Sequence, residues 1–500
     1  MIDRRCAIKL AGAGAAAALV PGGAAMGAAE SGQGGGTCLL STTQGARWVA
    51  QPRPVLEADD GDPFSRSFAV ALEDPRQTMR GFGAAFSEMG WAALGALPPA
   101  ERGKALDQLF GAGARLTHCR MPIGSSDMAH APYSYAETPG DFALRDFSLG
   151  RDTQALVPFI QAAQAREPQL VVWGSPWSPP RWMKTNNAFE MAPGWPGKPG
   201  NGLAPDQQRH EGEDAFIQQP RYFEAYARYF GRYVDAYAQH GIRIAAVMPQ
   251  NEFNSAQPYV SCVWTPEGLA RFLPWLGREM GPRGVDVLLG TLERGNAELV
   301  ARVLADPAAA AVVRGLGVQW AGRGALADIA RRWPQLPVWG SEQECGIGTN
   351  DWQYARYTWR ALQDYLKHGA CVWTYWNMAL AEGGQSIAGW PQNALVAVDA
   401  ARGRWRLTHD YWALRHTSAF VRPGARYLPT PSFIGYEFQT AFRNPDGSLV
   451  VVMLNDMAEP QPRKIAIGHR QIRLSLPADS FTTLVLSAQE MAAAGLPAQG

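Results

Sequence analysis

The sequence predicts an α/β fold, a (β/α)8 TIM barrel with an appended antiparallel β-sandwich domain. Three observations predict it. Between about residues 77 and 380, short apolar runs alternate with polar or glycine-rich loops and helical segments, the rhythm of a parallel sheet wound with helices. Eight such runs occur, the number that closes a barrel. After about residue 420 the pattern becomes short alternating strands separated by turn residues, which suits an antiparallel sheet.

Taken in order, the eight barrel strands are expected at 80–82, 116–122, 170–174, 244–249, 285–290, 316–320, 337–340 and 371–376. Pro98 and Pro99 open a helix that runs through Phe110. Residues 221–240 carry Tyr222, Tyr226, Tyr229, Tyr233 and Tyr237 three or four apart, a helical stripe suited to packing on the barrel. Thr265 before Pro266 marks a further helix start, because proline at the first helical position lacks only an N–H that would go unpaired there. Residues 184–218, rich in Gly, Pro, Asn and Gln, read as a surface excursion from the third βα unit. The later strands are expected at 433–441, 449–455, 464–467, 472–476 and 481–486, with a turn at Asn444-Pro445-Asp446-Gly447. The organisation that follows is an export signal at 1–30, strands at 38–77 joining the β-domain, a catalytic barrel at 78–420 and the C-terminal β-sandwich at 421–488.

The signal rests on Arg4-Arg5 followed by an Ala/Gly-rich apolar stretch, an order that resembles a twin-arginine leader and implies a periplasmic or secreted protein. That stretch is too short and too glycine-rich to span a bilayer, so no stable membrane insertion is expected. A net charge of +1 provides no field to recruit nucleic acid. Beyond the leader, Cys38, Cys119, Cys262, Cys345 and Cys371 are too scattered for a disulfide framework, although one bridge is compatible with them. The eight histidines lack ligand-pair spacing, and His210 stands alone in an acidic turn, so neither metal nor cofactor is expected. The chain also holds 18 Trp, 15 Tyr and 19 Phe, a supply of flat faces on which sugar rings can stack.

Chemistry is carried by two glutamates. Glu252 follows Met-Pro-Gln-Asn and is expected to end strand four, whereas Glu342 follows Val-Trp-Gly-Ser and is expected to end strand seven. Barrel enzymes gather their reacting groups at the C-terminal strand ends, and glycosidic bonds are cleaved by carboxylate pairs. Two close carboxylates repel, so one keeps its proton and serves as the acid. Asn251 is placed to bond a sugar 2-hydroxyl, and Arg120 on strand two to hold a carboxylate's charge. Asp127, Trp177, Trp376 and Asn393 lie on further C-terminal loops, where they could bind or wall a sugar.

The chain resembles glycoside hydrolase family 30, the group that contains the lysosomal glucosylceramidase, from about Gly81 to the end. The motifs are Gly81-Phe82-Gly83-Ala84-Ala85-Phe86, Arg120-Met121-Pro122 with Ser126-Asp127, the run from Tyr133 to Pro139, and the run from Ser175 to Asn186. Asn251-Glu252, Ser341-Glu342 and Trp373-Thr374-Tyr375-Trp376-Asn377 complete the ordered set. The resemblance implies a retaining hydrolase with Glu252 as acid/base and Glu342 as nucleophile, and with Asp127, Trp177, Asn251, Trp376 and Asn393 lining the sugar pocket. Three departures stand out: Phe253 replaces the family's proline, Gln319-Trp320-Ala321 replaces His-Trp-Tyr, and 389–393 is closer to bacterial members. Losing that tyrosine is expected to remove a hydrogen-bond neighbour of the nucleophile. The expected activity is exo-acting cleavage of a β-glycoside, glucosylceramidase-like; β-1,6-glucanase, β-xylosidase or β-fucosidase action are alternatives within the family. An inverting hydrolase and an inactive carbohydrate-binding protein are alternatives outside it.

Overall fold

The computed structural model describes residues 38–497, and the export signal expected at 1–30 lies outside them. Eight parallel strands close into a barrel: Gly81–Ala85, His118–Pro122, Val171–Ser175, Ile244–Val247, Asp286–Leu292, Val313–Gln319, Val338–Glu342 and Ala370–Asn377. Numbered one to eight in that order, they pair in sequence, and the eighth returns to the first with Trp373 opposite Phe82. Both faces of each strand are covered, by the barrel interior and by the helices, which is why the runs are apolar throughout and do not alternate.

The interior is packed. Trp173 of strand three meets Trp339 of strand seven edge-on, ring centroids 5.6 Å apart, among Ala246, Met248, Leu288, Cys371 and Val372. Strand six keeps Gly317 because a Cβ there would lie 2.3 Å from the Met248 sulfur. The guanidinium of Arg120 rests 5.3 Å from the Trp173 ring, so these two tryptophans support the residue on which the site is built.

The helices start where the sequence marks them. Pro99–Phe110 and Pro220–Gln239 each carry proline in the first turn, and Thr265 caps Pro266–Met280 by accepting from the Gly268 N–H. Tyr226, Tyr229, Tyr233 and Tyr237 are fully buried against the barrel. Tyr237 also donates to the buried Asp152, as do Tyr133 and Tyr135, which ties the long loop after strand two to this helix. Among the described residues, no helix is long and apolar enough to cross a membrane.

The β-domain has two facing sheets. One orders Arg426–Leu428, Gln439–Arg443, Leu449–Asn455, Ser480–Leu486, Cys38–Thr43 and Val49–Ala50; the other orders Leu56–Ala58, Arg470–Leu476, Gln461–Ile467 and Phe68–Val70. The pairing of Phe68–Val70 with Gln461–Ile467 is parallel, the one exception to an antiparallel domain. Strand Leu449–Asn455 is buried on both faces: Leu449, Val451 and Met453 enter the sandwich core, while Val450, Val452 and Leu454 join the barrel's core.

Two expectations are corrected. The strand expected at 433–441 begins only at Gln439, because Gly435 takes a left-handed φ of 74° and exposed Phe433 and Ile434 have no sheet to pack on. Strand four stops at Val247, short of Glu252. Pro249 lacks the N–H a ladder needs, and Glu252 itself has φ 47°, so the segment turns and presents Glu252 from a loop. The described cysteines Cys38, Cys119, Cys262, Cys345 and Cys371 are all free thiols, and no bridge forms among them.

Candidate active site

At the C-terminal mouth of the barrel, Arg120 is the hub. It is fully buried, and its Nη1 donates to Glu342 Oε2 at 2.6 Å, to the Ser341 carbonyl at 3.2 Å and to Gln319 Oε1 at 3.3 Å. Its Nη2 donates to Ser175 Oγ and to Asn251 Oδ1, both at 2.7 Å. One guanidinium therefore fixes residues from strands three, six and seven and from the loop after strand four. Its flat face lies 4.5 Å from the Trp177 ring and 5.8 Å from that of Trp376, and these two rings stack at 5.3 Å.

Glu342, the last residue of strand seven, receives only N–H donors from its named partners. Besides Arg120 these are the Trp320 indole, 2.6 Å from Oε1, and the Gln319 amide, 3.3 Å from Oε2. Burial pushes its carboxyl up to about 8; the Arg120 charge pulls down, the Glu252 charge pushes up, and the Trp320 N–H pulls down. Burial lowers Arg120, which Glu342, Glu252 and Asp127 counter. Asp127, also buried, is pushed up to about 7 by desolvation, with Gln392 donating to its Oδ2 at 3.2 Å. Three carboxyls thus share the field of one guanidinium, and they cannot all be ionised at low cost. Burial lifts Glu342 above Asp127, which by itself would leave the proton on Glu342, but its named partners are all N–H donors, one of them a guanidinium, and these serve bare oxygens; on that geometry the negative charge belongs to Glu342 and the shared proton to the others.

Glu252 is held differently. Its backbone N–H donates to Thr291 Oγ1 at 2.7 Å, and the Thr291 hydroxyl donates on to Asn251 Oδ1 at 3.2 Å. Its carboxylate Oε2 takes the Gln257 amide at 3.1 Å and the Tyr259 hydroxyl at 3.4 Å. Both donors are neutral and come from the loop that follows Glu252 itself. Lys184, fully buried, anchors that loop by donating to the Ser261 carbonyl at 2.8 Å, to Phe189 O at 2.7 Å and to Ser178 Oγ at 2.9 Å.

The structure brings Arg120, Asp127, Trp177, Asn251, Glu252, Glu342 and Trp376 to one mouth. Asn393 is different, since both ends of its amide are engaged elsewhere: Oδ1 accepts from the Asn350 N–H and Nδ2 donates to Asp410. Its neighbour Gln392 is the one that reaches Asp127, with its own oxygen held by Asn377 at 2.8 Å. Trp320, the middle residue of Gln319-Trp320-Ala321, donates its N–H to Glu342, while Ala321 has no hydroxyl to offer where the family has tyrosine. Trp320, Gln257, Tyr259, Thr291 and Gln392 escaped the sequence reading. Gln257 and Tyr259 lie in an irregular loop with no periodicity; Trp320 is the last residue of the run expected at 316–320, Thr291 directly follows the run expected at 285–290, and Gln392 adjoins Asn393, which are the signals that could have pointed to them.

The profile of the "Glycosyl hydrolase family 30 TIM-barrel domain" matches residues 79–421, and that of the "Glycosyl hydrolase family 30 beta sandwich domain" matches residues 439–484. The chain is 29% identical over 425 residues to the lysosomal acid glucosylceramidase of Mus musculus, covering 78% of this chain and 77% of that protein. It is also 29% identical over 427 residues to an endo-1,6-beta-D-glucanase of Neurospora crassa, covering 79% of this chain and 83% of the other. In fold it is similar to SrfJ from Salmonella typhimurium, with a TM-score of 0.79 at 24% identity over 90% of this chain and 99% of that one.

Proposed function

The chain belongs to glycosyl hydrolase family 30, and from that premise we propose that Glu342 is the nucleophile and Glu252 the acid/base of a retaining β-glycosidase. The observation that carries the assignment is the set of N–H donors that converge on Glu342, the Arg120 guanidinium with the Trp320 indole and the Gln319 amide, which favours it as the attacking anion at the mouth it shares with Glu252. In the first step a Glu342 oxygen attacks the anomeric carbon while Glu252 gives its proton to the departing glycosidic oxygen, leaving a glycosyl ester on Glu342. In the second step Glu252, now a carboxylate, takes a proton from water as that water attacks the anomeric carbon and releases Glu342.

Asn251 keeps its oxygen on Arg120 and Gln319, and among the described residues no partner holds its Nδ2, so the amide N–H is the donor for a sugar hydroxyl beside the reacting carbon. Asp127 with Gln392 accepts and donates at the far side, and stacked Trp177 and Trp376 wall the glycone. Asn393 contributes by holding the loop that carries Gln392. The bond is read as a β-glucoside, since a glucosylceramidase and a β-1,6-glucanase resemble the chain equally. Among these we favour a glucosylceramide-type substrate, because a further glucosylceramidase-named relative, from Caenorhabditis elegans, reaches 30% identity over 81% of this chain. The N-terminal Arg4-Arg5 segment supports export to the periplasm or beyond.

A 2-fluoro β-glucoside with an activated leaving group should inactivate the protein and leave its sugar on the peptide that contains Glu342. Labelling on another residue would sink the assignment, as would failure to label with any sugar configuration. Hydrolysis of aryl β-glycosides, then of glucosylceramide and β-1,6-glucan, decides the substrate.

A further inference from the structure

Glu342 has one oxygen on the guanidinium and the other on a tryptophan. Arg120 and Gln319 donate to Oε2, whereas the Trp320 indole N–H meets Oε1 at 2.6 Å. We propose that Trp320 is a positioning residue for the nucleophile: its N–H fixes Oε1 in place and favours Glu342 as the attacking anion. The inference rests on the reading of Glu342 as nucleophile.

Three features support it. An indole nitrogen can donate but not accept, so the contact rewards a bare carboxylate oxygen and would set hydrogen against hydrogen if Oε1 were protonated. A hydroxyl in the same place could reverse its role; an indole cannot. Second, Trp320 has a left-handed φ of 50°, a conformation bulky residues avoid and one that persists only where the surroundings impose it. The turn at the end of strand six is bent, and the bend delivers the N–H. Third, the ring is buttressed. Trp390 lies 5.4 Å from it and anchors its own N–H on the Gly346 carbonyl at 3.1 Å; Trp195 packs on Trp390 at 6.3 Å, and Tyr259 packs on Trp195 at 6.1 Å. The rings form an arc that starts at the donor of Glu342 and ends at Tyr259, whose hydroxyl reaches Glu252.

The charges that face Glu342 come from several elements. Arg120 on strand two is the cation; Glu252 after strand four and Asp127 after strand two push toward the protonated form. The Cys345 thiol, three residues further along its own loop, is itself pushed up by burial and then by Glu342. Trp320 therefore adds to Arg120 on the side of the anion, against two carboxylates.

Trp320→Phe keeps a ring against Trp390 and removes the N–H. Removing a donor from the anion raises the Glu342 pKa, so the acid limb of the kcat/KM profile should move to higher pH. Below the limb kcat/KM should fall about tenfold or more, with a smaller loss on the plateau, while the 2-fluoro label still arrives on Glu342, more slowly. Trp320→His, which restores a ring N–H, should return the limb toward its original position, and thermal unfolding checks that both variants fold. A limb left in place by Phe, or moved equally by Phe and His, overturns the proposal. If the unmodified protein is labelled elsewhere than Glu342, the failure lies with the nucleophile assignment and not with Trp320.

Discussion

Glu342 and Glu252 are the same residue type at the same barrel mouth, yet the protein surrounds them in opposite ways. Glu342 stands on the last step of a strand, gripped by a guanidinium that the barrel's own tryptophan plug supports. Glu252 stands on a turn with a left-handed backbone, and its carboxylate meets a glutamine and a tyrosine from an adjacent stretch of the same loop. A carboxylate that must attack benefits from a rigid base and a fixed positive neighbour. One that must gain and lose a proton in each cycle benefits from neutral donors that do not commit it to either state. The difference teaches that role is assigned by the partners and the backbone, not by the residue.

Removing Glu342 breaks the comparison most severely. Glu342→Gly should lower turnover by roughly 10⁴-fold or more, because no other carboxylate occupies its position on strand seven. Azide added to this variant should attack the anomeric carbon of an activated β-glucoside from the vacated face and yield the α-glycosyl azide. A β-azide from the Gly variant would assign the nucleophile's face to the other glutamate.

The next effect down belongs to Glu252. Glu252→Gln should cost about 10²- to 10⁴-fold on substrates whose leaving group needs a proton, and far less on activated aryl glycosides at the first step. Parallel losses along a leaving-group series would show that Glu252 does not deliver the proton.

The sequence exposed the two glutamates and the barrel for a physical reason: strands buried on both faces must be apolar, so any charged residue that closes such a run stands out. All eight runs have counterparts among the barrel strands, and Glu342 lies on its strand's last residue. The turn that carries Glu252 was less legible, because a left-handed φ on glutamate leaves no trace in composition. Arg120 could be placed, but its reach to Ser175 and Asn251 depends on three-dimensional convergence that no spacing encodes. Asn393 shows the opposite limit. Adjacent residues in an irregular loop point different ways, and it is Gln392 that faces Asp127. The 184–218 excursion reads as surface by composition, yet Lys184 and Trp195 turn inward, one as a buried clamp and one in the aromatic arc.

The smallest effect tests the Glu252 side most finely. Gln257 donates to Glu252 Oε2 at 3.1 Å and is itself held within the loop, its Nε2 also 2.6 Å from Ser255 Oγ. When Glu252 is an anion, in the second step, that N–H stabilises it; when Glu252 carries the proton, the contribution is weaker. Gln257→Leu keeps the side chain's bulk and removes the donor, while the Tyr259 hydroxyl remains near the same oxygen at 3.4 Å. In the first step Glu252 passes from acid to anion, so on a substrate whose leaving group needs the proton kcat/KM should fall about threefold to tenfold, or ~1 kcal/mol. On an activated aryl glucoside, whose leaving group departs without a proton and whose kcat is set by release of the glycosyl-enzyme, neither constant should fall, because a less stabilised Glu252 anion is the stronger base for the second step. Equal losses of kcat/KM on both substrates would show that Gln257 does not act through the proton on Glu252, and the distinction drawn between the two glutamates would lose this support.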